Sequence, residues 1–315
     1  MSLTVELVHI TVRHRHQIVL DDVSLGLEAG HGLAVAASSS CRATTLLRVI
    51  AGLTKPSAGR ARLVGDEASR ARRRALVGFA PRIQDMNWDG TGAHVLQALG
   101  RLKGLSRRQA RAETGRWLEL LGSERLASRP LSSWPSSALE AFPVAAALLG
   151  SPRIVIFDNV VGALHPTVRS RVASVLREVR TQGGAVVLAD RDCNAMASIC
   201  DSIALLSGGQ LIGSGSVDEI QDAARGLLHA YAVHDATGLV PDREGVVAKR
   251  VGEDLFVLAE RDIRQELVDR HGRDVVAARV PTLQETCEWM LQHPERIAAR
   301  SKLWGRKSSV ARTTG

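Results

Sequence analysis

The chain has 315 residues, 45% hydrophobic and 3% aromatic, with a formal net charge of +8. That length allows one large domain, or a large and a small one, with ample buried core. No apolar run approaches the roughly 20 residues of a membrane-spanning helix, and the start, MSLTVELVHI, lacks the pattern of a signal peptide, so a cytoplasmic protein is expected.

Residues 3–12 alternate (LTVELVHITV) and read as a strand. IVLDDVSLGLEAG is a second strand, ending in a turn at Gly30. The apolar run Leu33–Ala37 reads as a buried strand, followed by a small polar turn and a helix pattern from Thr44. TKPSAGRARLVG gives loop, glycine turn and strand, and RRRALVGFAPR a strand stopped by Pro81. From Gly92 the spacing turns helical in AHVLQALGRLKGL, RRQARAETGRWLELLG and SSALEAFPVAAALLG. RIVIFDN and AVVLADRD are buried strands flanking the helix PTVRSRVASVLREVRTQGG. DSIALLSGGQLIGSG is a hairpin turning at Gly208-Gly209, and VDEIQDAARGLL a helix. Apolar strands alternating with helices indicate an α/β fold with a mainly parallel sheet. Beyond it, GVVAKR, DLFVLA and VVAARV read as strands, and RDIRQELVDRHG and PTLQETCEWMLQ as helices.

The strand, tight turn and helix over residues 33–53 have the layout of a phosphate-binding loop. In that frame Gly-x-x-Gly-x-Gly-Lys-Thr-Thr becomes Ala37-Ser38-Ser39-Ser40-Cys41-Arg42-Ala43-Thr44-Thr45. The glycines that let backbone approach phosphate and the lysine that reaches it are replaced, and two threonines remain. The four cysteines (Cys41, Cys193, Cys200, Cys287) have no zinc-site spacing and read as reduced structural thiols.

VLDDVSLGLEAG, TTLLRVIAGLTKPSAGRARLVG, AAALLGSPRIVIFD and ICDSIALLSGGQLIGSGSVDEI occur in family order, and with them the chain resembles a nucleotide-binding subunit of an ABC transporter. It is similar in style to subunits of ABC-2-type exporters with a C-terminal extension. The resemblance implies a P-loop NTPase-like ABC domain over 1–222, a small α/β extension over 223–292 and a basic flexible tail over 293–315.

Carried over residue by residue, the resemblance places His14 at the adenine-stacking position and Ser38, Ser39, Ser40, Cys41, Arg42, Thr44 and Thr45 along a vestigial nucleotide loop. Thr44 and Asp158 match the magnesium ligands, so MgATP is the implied cofactor if the pocket still binds. The other positions have changed. Ala43 replaces the lysine and Arg82 the glutamine that senses the metal, with Gln84 roughly 6–7 Å further along an extended segment. Asn159 replaces the catalytic glutamate and cannot take a proton from water. His165 stands for an aspartate, and Arg191, always charged, for the switch histidine. A literal LSGGQ at Leu206–Gln210 falls in the hairpin; the signature position is Trp134-Pro135-Ser136-Ser137-Ala138, counted back from Pro152, with serines for both glycines.

The expectation is a catalytically inactive subunit, a scaffold or regulator of a membrane-embedded permease, peripheral at the inner face of the cell membrane. A homodimer, or a heterodimer with another ABC subunit, is compatible with it, although Ala43 spoils one shared site and Ser136-Ser137 the other. One alternative is a soluble nucleic-acid-binding regulator, supported by charge alone, without a helix-turn-helix or aromatic RNA-binding signature. Another is a weak MgATP binder or ATPase powering export. The tail from Pro294 carries six basic residues against Glu295; with Leu303 and Trp304 it is compatible with acidic lipid headgroups.

Overall fold

The apolar runs form the middle of a six-stranded sheet of order β5-β6-β7-β3-β8-β9. Its strands are β3 (Gly32–Ala37), β5 (Val77–Ala80), β6 (Ile154–Asp158), β7 (Ala185–Ala189), β8 (Ser202–Ser207) and β9 (Gln210–Ser216). β5 to β8 and β3 pair in parallel, and β9 adds an antiparallel edge. The computed structural model describes residues 3–63, 75–85, 89–225, 227–234, 245–272 and 276–298. One expected feature, the basic tail from residue 299, therefore lies outside the described residues.

β6 and β7 are buried along their whole length because the sheet is covered on both faces. Successive side chains alternate between two cores. Ile154, Ile156, Val187 and Val35 join one core with α1 (Ser40–Ile50) and the strands β1 (Leu3–His14) and β2 (Gln17–Glu28). Val155, Phe157, Leu188 and Ala34 join the other, with α4 (Ser136–Leu148) and α5 (Pro166–Thr181). Phe157 is fully buried, a burial that contributes about 1.5–3 kcal/mol. β1, β2 and β4 (Ala58–Leu63) make a separate antiparallel sheet, order β2-β1-β4.

Among the described residues the chain also forms α2 (Gly92–Leu102), α3 (Arg107–Leu120), α6 (Cys193–Ala197) and α7 (Val217–Arg225). Cys193, Cys200 and Cys287 are buried free thiols and Cys41 is exposed.

The C-terminal part has a four-stranded antiparallel sheet, order β11-β12-β10-β13. β11 (Val246–Val251) and β12 (Asp254–Ala259), both expected as strands, form a hairpin with Val251 opposite Asp254. β10 (His229–Val233) was not anticipated: HAYAV is too short to declare a period, and only its place between β12 and β13 (Val276–Arg279) makes it a strand. With α8 (Arg264–His271) this sheet has its own small core around Tyr231, Val257 and Leu267. α9 (Leu283–Gln292) and α10 (Pro294–Ala298) do not join that core. Leu283, Cys287, Met290 and Ile297 are buried in the main core instead.

One half-buried cation links the end of α2 to α4. Lys103 Nζ donates to the carbonyls of Ala146 (3.3 Å), Ala147 (2.9 Å) and Leu149 (2.9 Å), the orphan acceptors at the end of α4. Glu113 closes the same corner, accepting from Gly150 N–H at 2.7 Å. Burial lowers the Lys103 amine to about 8, against the opposing pull of Glu113. A lysine lowered by folding is protonated in the unfolded chain and neutral in the folded one between about 8 and its ordinary value near 10.5. In that window the unfolded state holds the extra proton, so stability rises with pH. The buried Cys200 thiol, pushed up by burial, pulls the slope the other way in both proteins, so urea unfolding across that range should show stability responding less favourably to rising pH in Lys103→Met than in the wild type. An identical slope in both proteins would exclude the assignment.

Candidate functional site

The C-terminal ends of β3, β5, β6 and β7 lie side by side, so their following residues converge, as expected where ligands bind in open parallel sheets. Asp158 pairs with Ala189 across β6 and β7, and Asn159 N–H donates to Ala189 O at 2.7 Å. Ser38 N–H donates to Leu206 O at 3.1 Å, fixing the chain as it leaves β3. The topology thus brings residues 37–45, Asp158, Asn159, Asp190 and Arg191 to one end of the sheet. Arg82 follows β5 on the same edge, in an ion pair with Asp85 at 3.1 Å.

The loop differs from the expected turn. α1 begins at Ser40, a turn before Thr44, with Ser39 as an extended N-cap at φ −139° and ψ 121°. Arg42 and Ala43 N–H donate to Ser39 O at 3.1 and 3.3 Å. No residue from 37 to 43 has positive φ. A phosphate-cradling nest needs left-handed residues with their N–H groups turned inward. Side chains at 37, 40 and 42 disfavour that conformation, and the segment takes the right-handed helix instead. Ala43 is buried in the core beneath, and no cation stands at its position.

Below the loop the arrangement is different. Asp158 is completely buried, and Asn159 Nδ2 donates to its Oδ1 at 3.1 Å. Asp158 Oδ2 and Thr44 Oγ1 are buried without a well-formed hydrogen bond among the described residues, although the hydroxyl lies near enough to the carboxylate to favour its charged form. Burial pushes the Asp158 carboxyl up, opposed by Thr44, by the Arg82 guanidinium and by Asn159. Thr45 spends its hydroxyl on Cys41 O at 2.8 Å.

MgATP can be tested against these residues. The two orphaned oxygens suit a metal ion, but magnesium held by one hydroxyl and one carboxylate completes its shell with water and substrate phosphates. The helical loop without a lysine does not present the phosphate half of the site. The residues therefore do not fit MgATP as a unit.

Asp190 is an organiser of this end of the sheet. Its Oδ2 accepts from Gly162 N–H at 2.8 Å and its Oδ1 from Arg191 N–H at 2.7 Å and Asp192 N–H at 3.3 Å. A cavity of about 550 Å³ opens above the loop between Ser38–Ser40, Asn159 and Arg191. Its remaining wall comes from α9, through Gln284, Glu288 and Gln292. Sequence reading missed these three, because an amphipathic pattern identifies a helix and not its docking place. Gln284 Oε1 accepts from Cys193 N–H at 2.7 Å, which ties α9 to α6.

Other sequence candidates lie away from the cavity. His14 pairs with Gln17 at the β1–β2 hairpin, in the other sheet. His165 is the N-cap of α5, its Nδ1 accepting from Thr167 N–H at 3.4 Å. Residues 134–138 open α4 but do not line the cavity. Trp134 is buried, edge-on to Phe142 with ring centroids 5.4 Å apart, and its Nε1 donates to Arg129 O at 3.2 Å. The literal LSGGQ spans the end of β8, the turn at Gly208-Gly209 and the first residue of β9.

No protein-family model matches the sequence. The chain is 27% identical over 208 residues to the uncharacterized ABC transporter ATP-binding protein YxlF of Bacillus subtilis, covering 66% of this chain and 69% of that protein. It is 25% identical over 280 residues to the Nod factor export ATP-binding protein I of Mesorhizobium japonicum, covering 86% and 82%. The chain is a relative of ABC transporter ATP-binding proteins. A solved ATP-binding subunit of an ABC transporter superposes with a TM-score of 0.63 over 70% of this chain and 93% of its own length, at 20% identity. The architecture is therefore the ABC nucleotide-binding fold, and a match over 86% of the chain extends into the C-terminal sheet.

Proposed function

We propose that this ABC-type chain is a transporter subunit that does not hydrolyse ATP and serves a membrane-embedded permease as scaffold or regulator. The observation that carries the reading is the loop at residues 37–43, helical from Ser40 and without a cation at Ala43. Asn159 and Arg191 support it, since neither supplies the proton-accepting group that water activation needs. The names of the relatives support the transporter assignment, and the match to an export protein over 86% of the chain supports the exporter type. Among the described residues no helix is long and apolar enough to cross a membrane, so a peripheral position through a permease is the form the reading takes.

Coexpression with a candidate permease tests it. The chain should sediment with membranes, copurify with the permease in detergent and return to the soluble fraction when the permease is omitted. A chain that stays monomeric and soluble with the permease present overturns the scaffold role.

A further inference from the structure

The cavity above Ser38–Ser40 is not built by the ABC-type core alone. α9, far along the chain in the C-terminal part, supplies one wall. It is held there by apolar burial of Leu283, Cys287 and Met290 and by two polar ties. Cys193 N–H donates to Gln284 Oε1 at 2.7 Å, and Ser207 Oγ to Leu291 O at 3.2 Å. On the face turned to the cavity stands Glu288, its Oε1 accepting from Gln284 Nε2 at 2.6 Å.

The charges lining this space are Glu288, Asp190 and Arg191. Three backbone N–H groups already satisfy Asp190. Those bonds do not remove its charge, so the lining carries two carboxylates, the exposed Glu288 on α9 among them, against one guanidinium at the β7 end. Such a lining tolerates a ligand with a single negative charge near Arg191. A polyphosphate must place further charge toward Glu288, with no lysine at residue 43 to offset it.

We infer that Glu288 is a specificity-determining residue: α9 makes the C-terminal segment a charge filter that excludes polyphosphate from the cavity. The inference deepens the reading of a non-hydrolysing subunit and rests on it, because it gives a second reason for weak nucleotide binding. It fails separately, since it is read from ratios of affinity and not from turnover.

The test compares the full chain with Glu288→Gln, Glu288→Lys and Glu295→Lys, titrating MgATP and inorganic triphosphate by calorimetry. Glu295 is exposed on α10 and does not line the cavity, so it controls for net charge. Melting temperatures confirm that each variant is folded. Glu288→Lys should bind both probes about tenfold more tightly than Glu295→Lys, a difference of about 1.4 kcal/mol, with Glu288→Gln between them. The gain should shrink toward 1 M salt, where the screening length falls to about 3 Å. Equal affinities in the two lysine variants, or no measurable binding in any protein, overturn the inference. Phosphate release from the same wild-type sample reports on hydrolysis independently.

Discussion

Purified protein supplied with millimolar MgATP should release phosphate no faster than a blank, and restoring a single residue should leave it there. Asn159→Glu returns a carboxylate to the end of β6, but the water it would activate faces a phosphate that the loop does not position. Ala43→Lys returns a charge, yet residue 43 is buried against the core and α1 already runs from Ser40. A base contributes about 10²–10⁴-fold and a positioned electrostatic donor about 10²–10³-fold. These effects belong to a unit, so one restored member recovers little of the whole. The measurement is a coupled phosphate assay on wild type, the two single variants and the double variant. Wild-type release above blank, abolished by Asp158→Ala, would refute the non-hydrolysing reading outright.

The two glycines of the literal LSGGQ should separate into a severe and a mild substitution, both acting on stability. Gly209 has φ +94°, and a Cβ there would lie 2.4 Å from Val19 O. Its own carbonyl accepts from Asp21 N–H at 2.9 Å, and the neighbouring Gln210 Nε2 donates to Asp21 Oδ2 at 2.8 Å. The turn is therefore docked on β2, and any side chain at 209 must push two sheets apart. Gly209→Ala should cost about 2–4 kcal/mol, combining backbone strain with lost docking. Gly208 has φ +60°, and an added methyl group there would meet nothing within 4 Å, so Gly208→Ala carries only the left-handed penalty of about 1 kcal/mol. Chemical denaturation of both variants checks the order. Equal destabilisation, or Gly208→Ala the worse of the two, contradicts the docking account.

Residues 206–210 also show why a motif needs its context. The five letters match a nucleotide-contacting loop, yet their place between β8 and β9 gives them the job of a hairpin turn. Trp134 shows the converse. At the signature position it faces the core, and a Cβ on Gly92 would lie 2.3 Å from its ring. Neither assignment depends on the residue type, and both follow from which element the residue opens or closes.

The sequence by itself determined the alternation of strands and helices, because burial on two faces forces continuous apolar runs and a helix forces its own period. It also determined the replaced chemistry at Ala43, Asn159 and Arg191, since side-chain type alone decides what can donate, accept or carry charge. Tertiary structure alone decided that the loop winds into helix from Ser40, that HAYAV is a strand, and that α9 leaves the C-terminal sheet to wall the cavity beside Arg191. Those outcomes depend on contacts between segments far apart in the chain, such as those holding Ser40 and Glu288, and local pattern carries no information about which buried surface an apolar stripe will meet.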